Sequence, residues 1–159
     1  MADATRPVAI HTTDAPSRAR ATSYPADLAT RVAGRDKRPL GDMFGLTVFG
    51  VNLTRLAPGA WSALHHGHSK QDEFIYVVEG APTLVTDAGE TQLAPGMCAG
   101  FAASGSPHHL ENRSSADVLI LEMGDRCAED TVLYPNDDLT VAMGPDGKWR
   151  YTRKDGTAV

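Results

Sequence analysis

The 159-residue sequence is poor in cysteine and aromatic residues and has no long apolar run. Its two cysteines, Cys98 and Cys127, form no Cys-x-x-Cys motif, which excludes a disulfide framework and a cysteine-based zinc module. No apolar run approaches the roughly 18 residues of a membrane span, and Met1–Ile10 lacks the apolar core of a secretory signal. We therefore expect a cytoplasmic protein without a membrane partner.

Positive charge is also in deficit, since 15 Lys and Arg stand against 20 Asp and Glu, for a formal net charge of −5. This balance argues against general affinity for nucleic acid, and we expect no nucleic-acid partner. Within residues 41–126 the only basic side chains are Arg55, Lys70, Arg113 and Arg126. That stretch also lacks a glycine-rich phosphate loop, so the sequence disfavours a phosphorylated substrate.

Short segments of β-branched and aromatic residues, separated by glycine and proline turns, predict an all-β protein. Residues 1–40 show no sustained periodicity of apolar residues and are predicted to be a partly irregular N-terminal arm. This arm is expected to cover the barrel or to pair with a second subunit. Residues 41–135 are predicted to form the barrel, a double-sheet jelly roll, and residues 136–159 a C-terminal hairpin and tail. The predicted strands are Gly45–Leu56, Glu73–Glu79, Pro82–Thr86, Glu90–Leu93, Met97–Phe101, His108–Asn112, Asp117–Met123, Thr131–Tyr134, Leu139–Met143 and Lys148–Thr152.

Five of the six histidines lie in two short clusters: His65, His66 and His68 in the first, His108 and His109 in the second. In a strand, residues i and i+2 face the same side, so His66 and His68 project together while His65 faces away. Glu73 opens the next strand, and His108 lies on a later strand that can approach across the barrel. Three imidazoles and one carboxylate leave open positions on a divalent ion, as in active or ligand-binding sites. We therefore predict these four residues as metal ligands.

The histidines beside the predicted ligands have a different expected role. Parity points His65 and His109 away from the ion, so surface or packing roles are favoured. As catalytic residues they would act as proton carriers, and only if the barrel brings either ring inward. Glu79 and Glu111 are expected to be solvated charges at strand ends.

Two groups of these residues resemble the sequence motifs of the cupin superfamily. The first motif is matched by Gly59, His66, His68, Glu73 and Gly80, with six residues between the last two. The second is matched by Gly105, His108 and Asn112, with two and three residues between them. The resemblance covers roughly residues 45–125 and is to small bacterial single-domain cupins of unassigned activity, some of which are labelled sugar-phosphate isomerase-like. It implies a double-stranded β-helix barrel in which His66, His68, Glu73 and His108 hold a metal.

The match departs from the family pattern at three places. Six residues rather than five separate Gly59 from His66, so His65 could take the first ligand position, although parity favours His66. His109 beside His108 is a similar alternative, and the spacing to Asn112 favours His108. Ala103 replaces the usual proline of the second motif.

The function implied is that of a metal-dependent enzyme acting on a small oxygen-bearing metabolite, as an isomerase, a lyase or an oxygenase. The cofactor is one divalent transition metal, with Mn, Fe, Ni, Zn and Cu all compatible with the ligand set. The alternatives are a non-catalytic module that binds a small molecule or the metal, and a structural metal that stiffens an oligomer. We expect a small-molecule ligand and a homodimer.

Overall fold

The computed structural model describes residues 6–146 and 148–159, which consist mainly of short antiparallel strands. In chain order the strands in these residues are β1 (Arg35–Pro39), β2 (Phe49–Leu56), β3 (Gly67–His68), β4 (Glu73–Glu79), β5 (Thr83–Thr86), β6 (Gly89–Gln92), β7 (Cys98–Phe101), β8 (His108–Glu111), β9 (Val118–Asp125), β10 (Thr131–Leu133), β11 (Thr140–Met143) and β12 (Trp149–Thr152). Between residues 6 and 159, leaving out 147, the helices are α1 (Ala26–Ala29), α2 (Leu40–Met43) and 3-10 turns at Thr12–Asp14 and Thr30–Val32. The all-β prediction is confirmed.

The strands form two opposed walls. One wall is a five-stranded sheet in the order β1-β2-β9-β4-β7. The other combines a three-stranded sheet, β6-β5-β8, with a four-stranded sheet, β12-β11-β10-β3. Antiparallel bridges from Trp61 to Glu111 and from His66 to His108 join these two sheets through the segment that precedes β3. This segment therefore lies in the middle of the second wall, which places its histidines at the centre of the barrel.

The core follows the two-residue period of the strands. In β4, Ile75 and Val77 are buried while Phe74 and Tyr76 are exposed. The inward side chains form two apolar clusters, one of Leu56, Ala60, Ile75, Val77, Leu84, Leu93, Leu110, Val118 and Ile120, the other of Leu28, Leu64, Val132, Tyr134, Leu139 and Val141. Each fully buried Val, Leu or Ile side chain in these clusters stabilises the fold by roughly 1.5–3 kcal/mol relative to an exposed one.

The N-terminal arm lies against its own barrel. Its last residues form β1, which pairs with β2 from Arg35 opposite Leu56 to Pro39 opposite Asn52. The sequence predicts no strand here, because a run of charged residues has no alternation of apolar and polar positions. The strand forms because the open edge of β2 offers backbone donors and acceptors that the arm can pair with.

Two residues of the motifs, Gly80 and Asn112, support the backbone of the barrel and do not face the histidines at its centre. Gly80 ends β4 with a φ of +81°, and a Cβ there would lie 2.7 Å from the carbonyl oxygen of Asp117. Asn112 is fully buried and its amide Nδ2 donates to the carbonyl oxygens of Leu56 and Ala116, each at 2.8 Å. Both residues therefore lie against the segment that leads into β9, at Ala116 and Asp117.

The turn predicted between β11 and β12 includes Gly147, which lies outside the described residues, as do residues 1–5 of the arm. None of the helices in the described part of the chain has the length and apolar composition needed to span a bilayer.

Candidate metal centre

Four side chains from three stretches of chain converge on one point inside the barrel. The Oε2 atom of Glu73 lies 3.3 Å from Nε2 of His66, 3.5 Å from Nε2 of His68 and 3.2 Å from Nε2 of His108. These are the four residues predicted as ligands, and we call them the inner metal group. The strand pairing explains the convergence, because His66 bridges His108 across the second wall while Glu73 faces them from the first.

Two imidazoles of the inner metal group, those of His66 and His68, are oriented by short contacts of their other nitrogen, while Nδ1 of His108 lies 3.4 Å from the carbonyl oxygen of Ser106. The Nδ1 atom of His66 lies 2.8 Å from the carbonyl oxygen of Leu64, and that of His68 lies 2.6 Å from Oδ2 of Asp130. Both acceptors lack a proton, so Nδ1 carries the N–H that donates. This tautomer leaves the Nε2 lone pair of each neutral ring directed at Glu73, as in metal sites whose histidines are held by carboxylates or carbonyls.

The inner metal group fits a divalent transition metal. Glu73 Oε2 is buried without a hydrogen-bond partner, although three imidazole nitrogens surround it. Donor atoms of His66, His68 and Glu73 all lie within 4.8 Å of one another. Electron-pair donors held this closely repel unless a proton or a cation lies between them, and imidazole and carboxylate together suit such an ion.

The pKa values of the inner metal group are shifted by burial and by the contacts among its members. Burial would raise the pKa of Glu73, but the close approach of His108 and His66 outweighs it and holds that pKa well below its usual value. Burial lowers the pKa of His66, yet the nearby carboxylate of Glu73 reverses this and raises it. The pKa of His108 is lowered, with burial as the largest cause. Without an ion, Glu73 therefore favours the protonated form of His66, and His66 favours the ionised form of Glu73.

Aromatic rings support the histidines from both apolar clusters. The ring of Phe101 stacks on His108 with centroids 3.3 Å apart and an angle of 3° between the planes. On the other side, the ring of Tyr134 lies 6.2 Å from that of His66. The imidazoles are thus fixed by packing as well as by hydrogen bonds.

A buried ion pair lies on the same inner face. Nζ of Lys37, on β1, is 2.6 Å from Oε2 of Glu122, on β9, and the hydroxyl of Thr54 donates to the same oxygen. Burial lowers the pKa of Lys37, while the charge of Glu122 opposes the shift. Lys37, Glu122 and Glu73 line a cavity of about 780 Å³, and Met143 and Trp149 of the C-terminal hairpin line it as well. The inner metal group therefore borders a space large enough for a metabolite.

His65 and His109 form a separate cluster on the opposite face of the same strands, and we call them the outer histidine pair. Their Nδ1 atoms are 3.0 Å apart, and each Nε2 contacts a carboxylate, His65 that of Asp87 at 2.8 Å and His109 that of Glu111 at 2.9 Å. The ring of Trp61 packs on His109 with centroids 4.5 Å apart. Neither ring hydrogen-bonds a member of the inner metal group in the described residues, so a proton-carrier role for them stays a prediction.

The contact between the two Nδ1 atoms of the outer histidine pair requires a proton on one of them. If both Nε2 atoms donate to carboxylates and both rings are neutral, the two Nδ1 atoms present lone pairs to each other. An additional proton between the two Nδ1 atoms would satisfy all three contacts, and burial, which lowers the pKa of His109, opposes its uptake. The expectation that Glu111 is a solvated charge is wrong, because its carboxylate also bonds Arg113 and is only 14% exposed.

Two residues of the site, Asp130 and Lys37, could not be predicted from any pattern in the sequence. Asp130 is fully buried and holds His68, Ser69 and the backbone of Lys70 together, yet it lies in a polar loop far along the chain. Lys37 lies in the arm, outside the region of family resemblance. Only the pairing of β1 with β2 brings it inside the barrel.

Comparison with known proteins agrees with this architecture. A family model described as the cupin domain matches residues 52–124. The structure resembles a sugar phosphate isomerase of the cupin superfamily from Silicibacter pomeroyi, with 43% identity, a TM-score of 0.81, and coverage of 87% of this chain and 88% of that one.

More distant solved structures share the fold. A candidate sugar phosphate isomerase from Acidithiobacillus ferrooxidans has 27% identity and a TM-score of 0.71, covering 86% of this chain and 94% of the other. The polyketide cyclase RemF from Streptomyces resistomycificus has 22% identity and a TM-score of 0.61, and the match covers 74% of this chain and 78% of the other. No curated protein matches the chain. Given both family motifs and the identity shared across most of its length with a solved member, the chain belongs to the cupin superfamily.

Proposed function

We propose that the protein is a metal-dependent enzyme that converts a small oxygen-bearing metabolite, as an isomerase, a lyase or an oxygenase. The observation that carries the proposal is the approach of three histidine Nε2 atoms to the buried, unpartnered Oε2 of Glu73. The resemblance to a solved sugar phosphate isomerase supports an isomerase, while the polyketide cyclase resemblance is one of fold alone.

His66, His68, Glu73 and His108 would hold the ion. When bound, a divalent ion supplies a Lewis acid that polarises a carbonyl or hydroxyl group, or in the case of Fe(II) a site for dioxygen chemistry. Asp130 keeps His68 in the tautomer that can ligate, and Phe101 holds the plane of His108.

We assign proton exchange with the substrate to Lys37 and Glu122 rather than to His65 and His109. The Lys37–Glu122 pair faces the cavity that Glu73 also lines. The lowered pKa of Lys37 brings its ammonium closer to the range in which it can give up a proton. The outer histidine pair instead contacts Asp87, Glu111 and Trp61, away from that cavity.

Elemental analysis of the purified protein tests the metal, and activity with each ion tests the reaction. Fe(II)-loaded protein is assayed in an oxygen electrode, and Mn(II)- or Ni(II)-loaded protein against a panel of sugars and sugar phosphates. Turnover that disappears in His68→Ala supports the enzyme. A metal-replete protein that retains a ligand tightly without converting it would make it a binding module instead.

We also propose that the protein is a homodimer assembled through the outer side of the five-stranded sheet. Three adjacent strands, β2, β9 and β4, present apolar residues there: Phe49, Val51, Leu53, Leu119, Leu121, Met123, Phe74, Tyr76 and Val78. Phe49, Phe74 and Val78 each remain 40–45% exposed. Monomeric proteins rarely leave so continuous an apolar face in water, and a two-fold axis lets the same face cover itself.

Light scattering tests this assembly. The wild-type protein should have twice the 16.9 kDa chain mass, and Phe74→Glu should have the mass of one chain with its circular dichroism unchanged. A wild-type monomer at micromolar concentration would remove the proposal.

A further inference from the structure

A second cavity, of about 210 Å³, lies against His66 and His68 of the inner metal group. The N-terminal arm supplies one side of it, with Arg18, Arg35 and Lys37. No carboxylate lines this cavity in the described residues. Its composition thus differs from that of the larger cavity, where Glu73 and Glu122 face Arg18 and Lys37.

Two of the three cations in the smaller cavity have no counter-charge. Arg18 donates from Nη2 to the amide oxygen of Asn52 at 3.0 Å, and Arg35 donates to the carbonyl oxygens of Ser62 and Ala21. Within the described residues no carboxylate lies within 4 Å of either guanidinium, whereas Lys37 is paired with Glu122. The Nε of Arg35 is also buried without a hydrogen-bond partner. Arg18 lies at the exposed rim and Arg35 is half-buried, so an anion in the cavity would meet two guanidinium groups that have no carboxylate partner in the described residues, together with the unpartnered Nε–H of Arg35.

Hydroxyl groups complete the lining. Tyr24 and Tyr151 contribute phenols, and Ser23 Oγ lies 2.6 Å from the Tyr151 hydroxyl. Burial raises the pKa of Tyr24 to about 12 and also raises that of Tyr151, so both phenols keep their protons near neutral pH. Guanidinium and phenol donors around one cavity favour a ligand rich in acceptor oxygens.

We propose that Arg18, Arg35 and Lys37 form an oxyanion-binding subsite beside the metal, and that the substrate of the proposed enzyme carries a carboxylate or phosphate group. The two imidazoles shared with the inner metal group place this anionic group next to the atoms that the ion would contact. The subsite extends the proposed function, since the ion and the oxyanion would then hold two ends of one small molecule.

The arm explains why the sequence analysis disfavours a phosphorylated substrate. That expectation counts the cations of residues 41–126, whereas those of the subsite lie at positions 18, 35 and 37. They reach the barrel because β1 pairs with β2 and because the backbone N–H of Arg18 donates to the carbonyl oxygen of Lys37 at 2.9 Å.

The test is a calorimetric titration of the full chain with inorganic phosphate and, in a second series, with acetate. Both series are run on chelator-treated protein and on Zn(II)-loaded protein. Arg18→Gln is the main variant because the residue is exposed at the rim, and Arg35→Lys retains the charge but not the fork of donors. Arg150→Gln is the matched control, since it removes the same charge from β12 but lies between Trp149 and Tyr151 on the opposite face of the strand.

We expect Arg18→Gln and Arg35→Lys to weaken binding of the preferred anion on the order of tenfold, and Arg150→Gln to leave it unchanged. Tighter binding of phosphate than acetate assigns a phosphorylated substrate, and the reverse assigns a carboxylate. Failure of wild-type protein to bind either anion, or equal binding by Arg18→Gln and wild type, overturns the subsite. Anion binding by a chain that takes up no zinc would instead retain the subsite and overturn the metal-dependent function.

Discussion

The inner metal group and the outer histidine pair use neighbouring residues for different purposes. His66 and His108 lie on the inner face, with Nε2 atoms directed at a buried carboxylate oxygen that has no other partner. His65 and His109 lie one residue away on the outer face, where carboxylates satisfy both Nε2 atoms. All four rings are at least nine-tenths buried, so burial does not separate them.

The inner metal group and the outer histidine pair differ in which imidazole nitrogen has a hydrogen-bond partner. In the inner metal group the backbone and Asp130 occupy Nδ1 and leave Nε2 for an ion. In the outer histidine pair Nε2 is occupied and the two Nδ1 atoms face each other. The comparison indicates that the partner of the second nitrogen, rather than histidine content or burial, distinguishes the proposed ligands from the outer histidine pair.

The largest effect should come from removing an inner imidazole. His68→Ala deletes one ligand and leaves Asp130 without its main partner, so we expect metal affinity to fall roughly 100-fold or more. Metal content after dialysis measures it. His11→Ala, an exposed histidine far from the barrel centre, should retain full metal content, and equal loss in both variants would contradict the assignment.

Removing the support of His68 should have the next largest effect. Asp130→Asn keeps the size of the side chain but loses the charge that holds Nδ1–H, and we expect about a 10–100-fold loss of metal affinity. Competition with a chromophoric chelator measures this. The control is Asp137→Asn, another buried carboxylate that pairs with Arg31 instead; it should change stability but not metal affinity.

Changing the outer histidine pair should affect stability alone. His109→Gln removes the packing against Trp61 and disrupts the contact with His65, at a cost of about 1–3 kcal/mol in the free energy of unfolding. Urea denaturation of His109→Gln, His65→Gln and the double variant gives the coupling energy, which should be at least about 0.5 kcal/mol. If either single variant lost metal while still folded, the two sets of histidines would not be independent.

The smallest effect is expected at the exposed end of the outer cluster. Asp87 is 59% exposed, and Asp87→Asn retains an oxygen that can accept from His65 Nε2. We expect a change in unfolding free energy within about 0.5 kcal/mol and unchanged metal content. A larger loss of stability would show that the charge on Asp87, and not merely its hydrogen bond, stabilises the outer histidine pair.

Strand parity accounts for much of what could be predicted. The alternation around Glu73–Glu79 correctly places Ile75 and Val77 inside, and the same rule separates His66 from His65. Strand parity does not show which side chains cover an outward-facing residue. Glu111 is therefore wrongly predicted to be solvated, although His109 and Arg113 contact its carboxylate. Parity also fails for β1, whose charged residues become a strand only because β2 has an unpaired edge.

By itself, the amino-acid sequence determined an all-β class, the two motifs and the face on which each histidine lies, because these depend on local spacing along strands. The tertiary structure decided that Asp130 holds His68, that Lys37 meets Glu122, and that two arm arginines lie beside the inner metal group. Those contacts join residues between about 30 and 90 positions apart in the chain. No local pattern records such a pairing, because it exists only once the strands have adopted their order in the sheets.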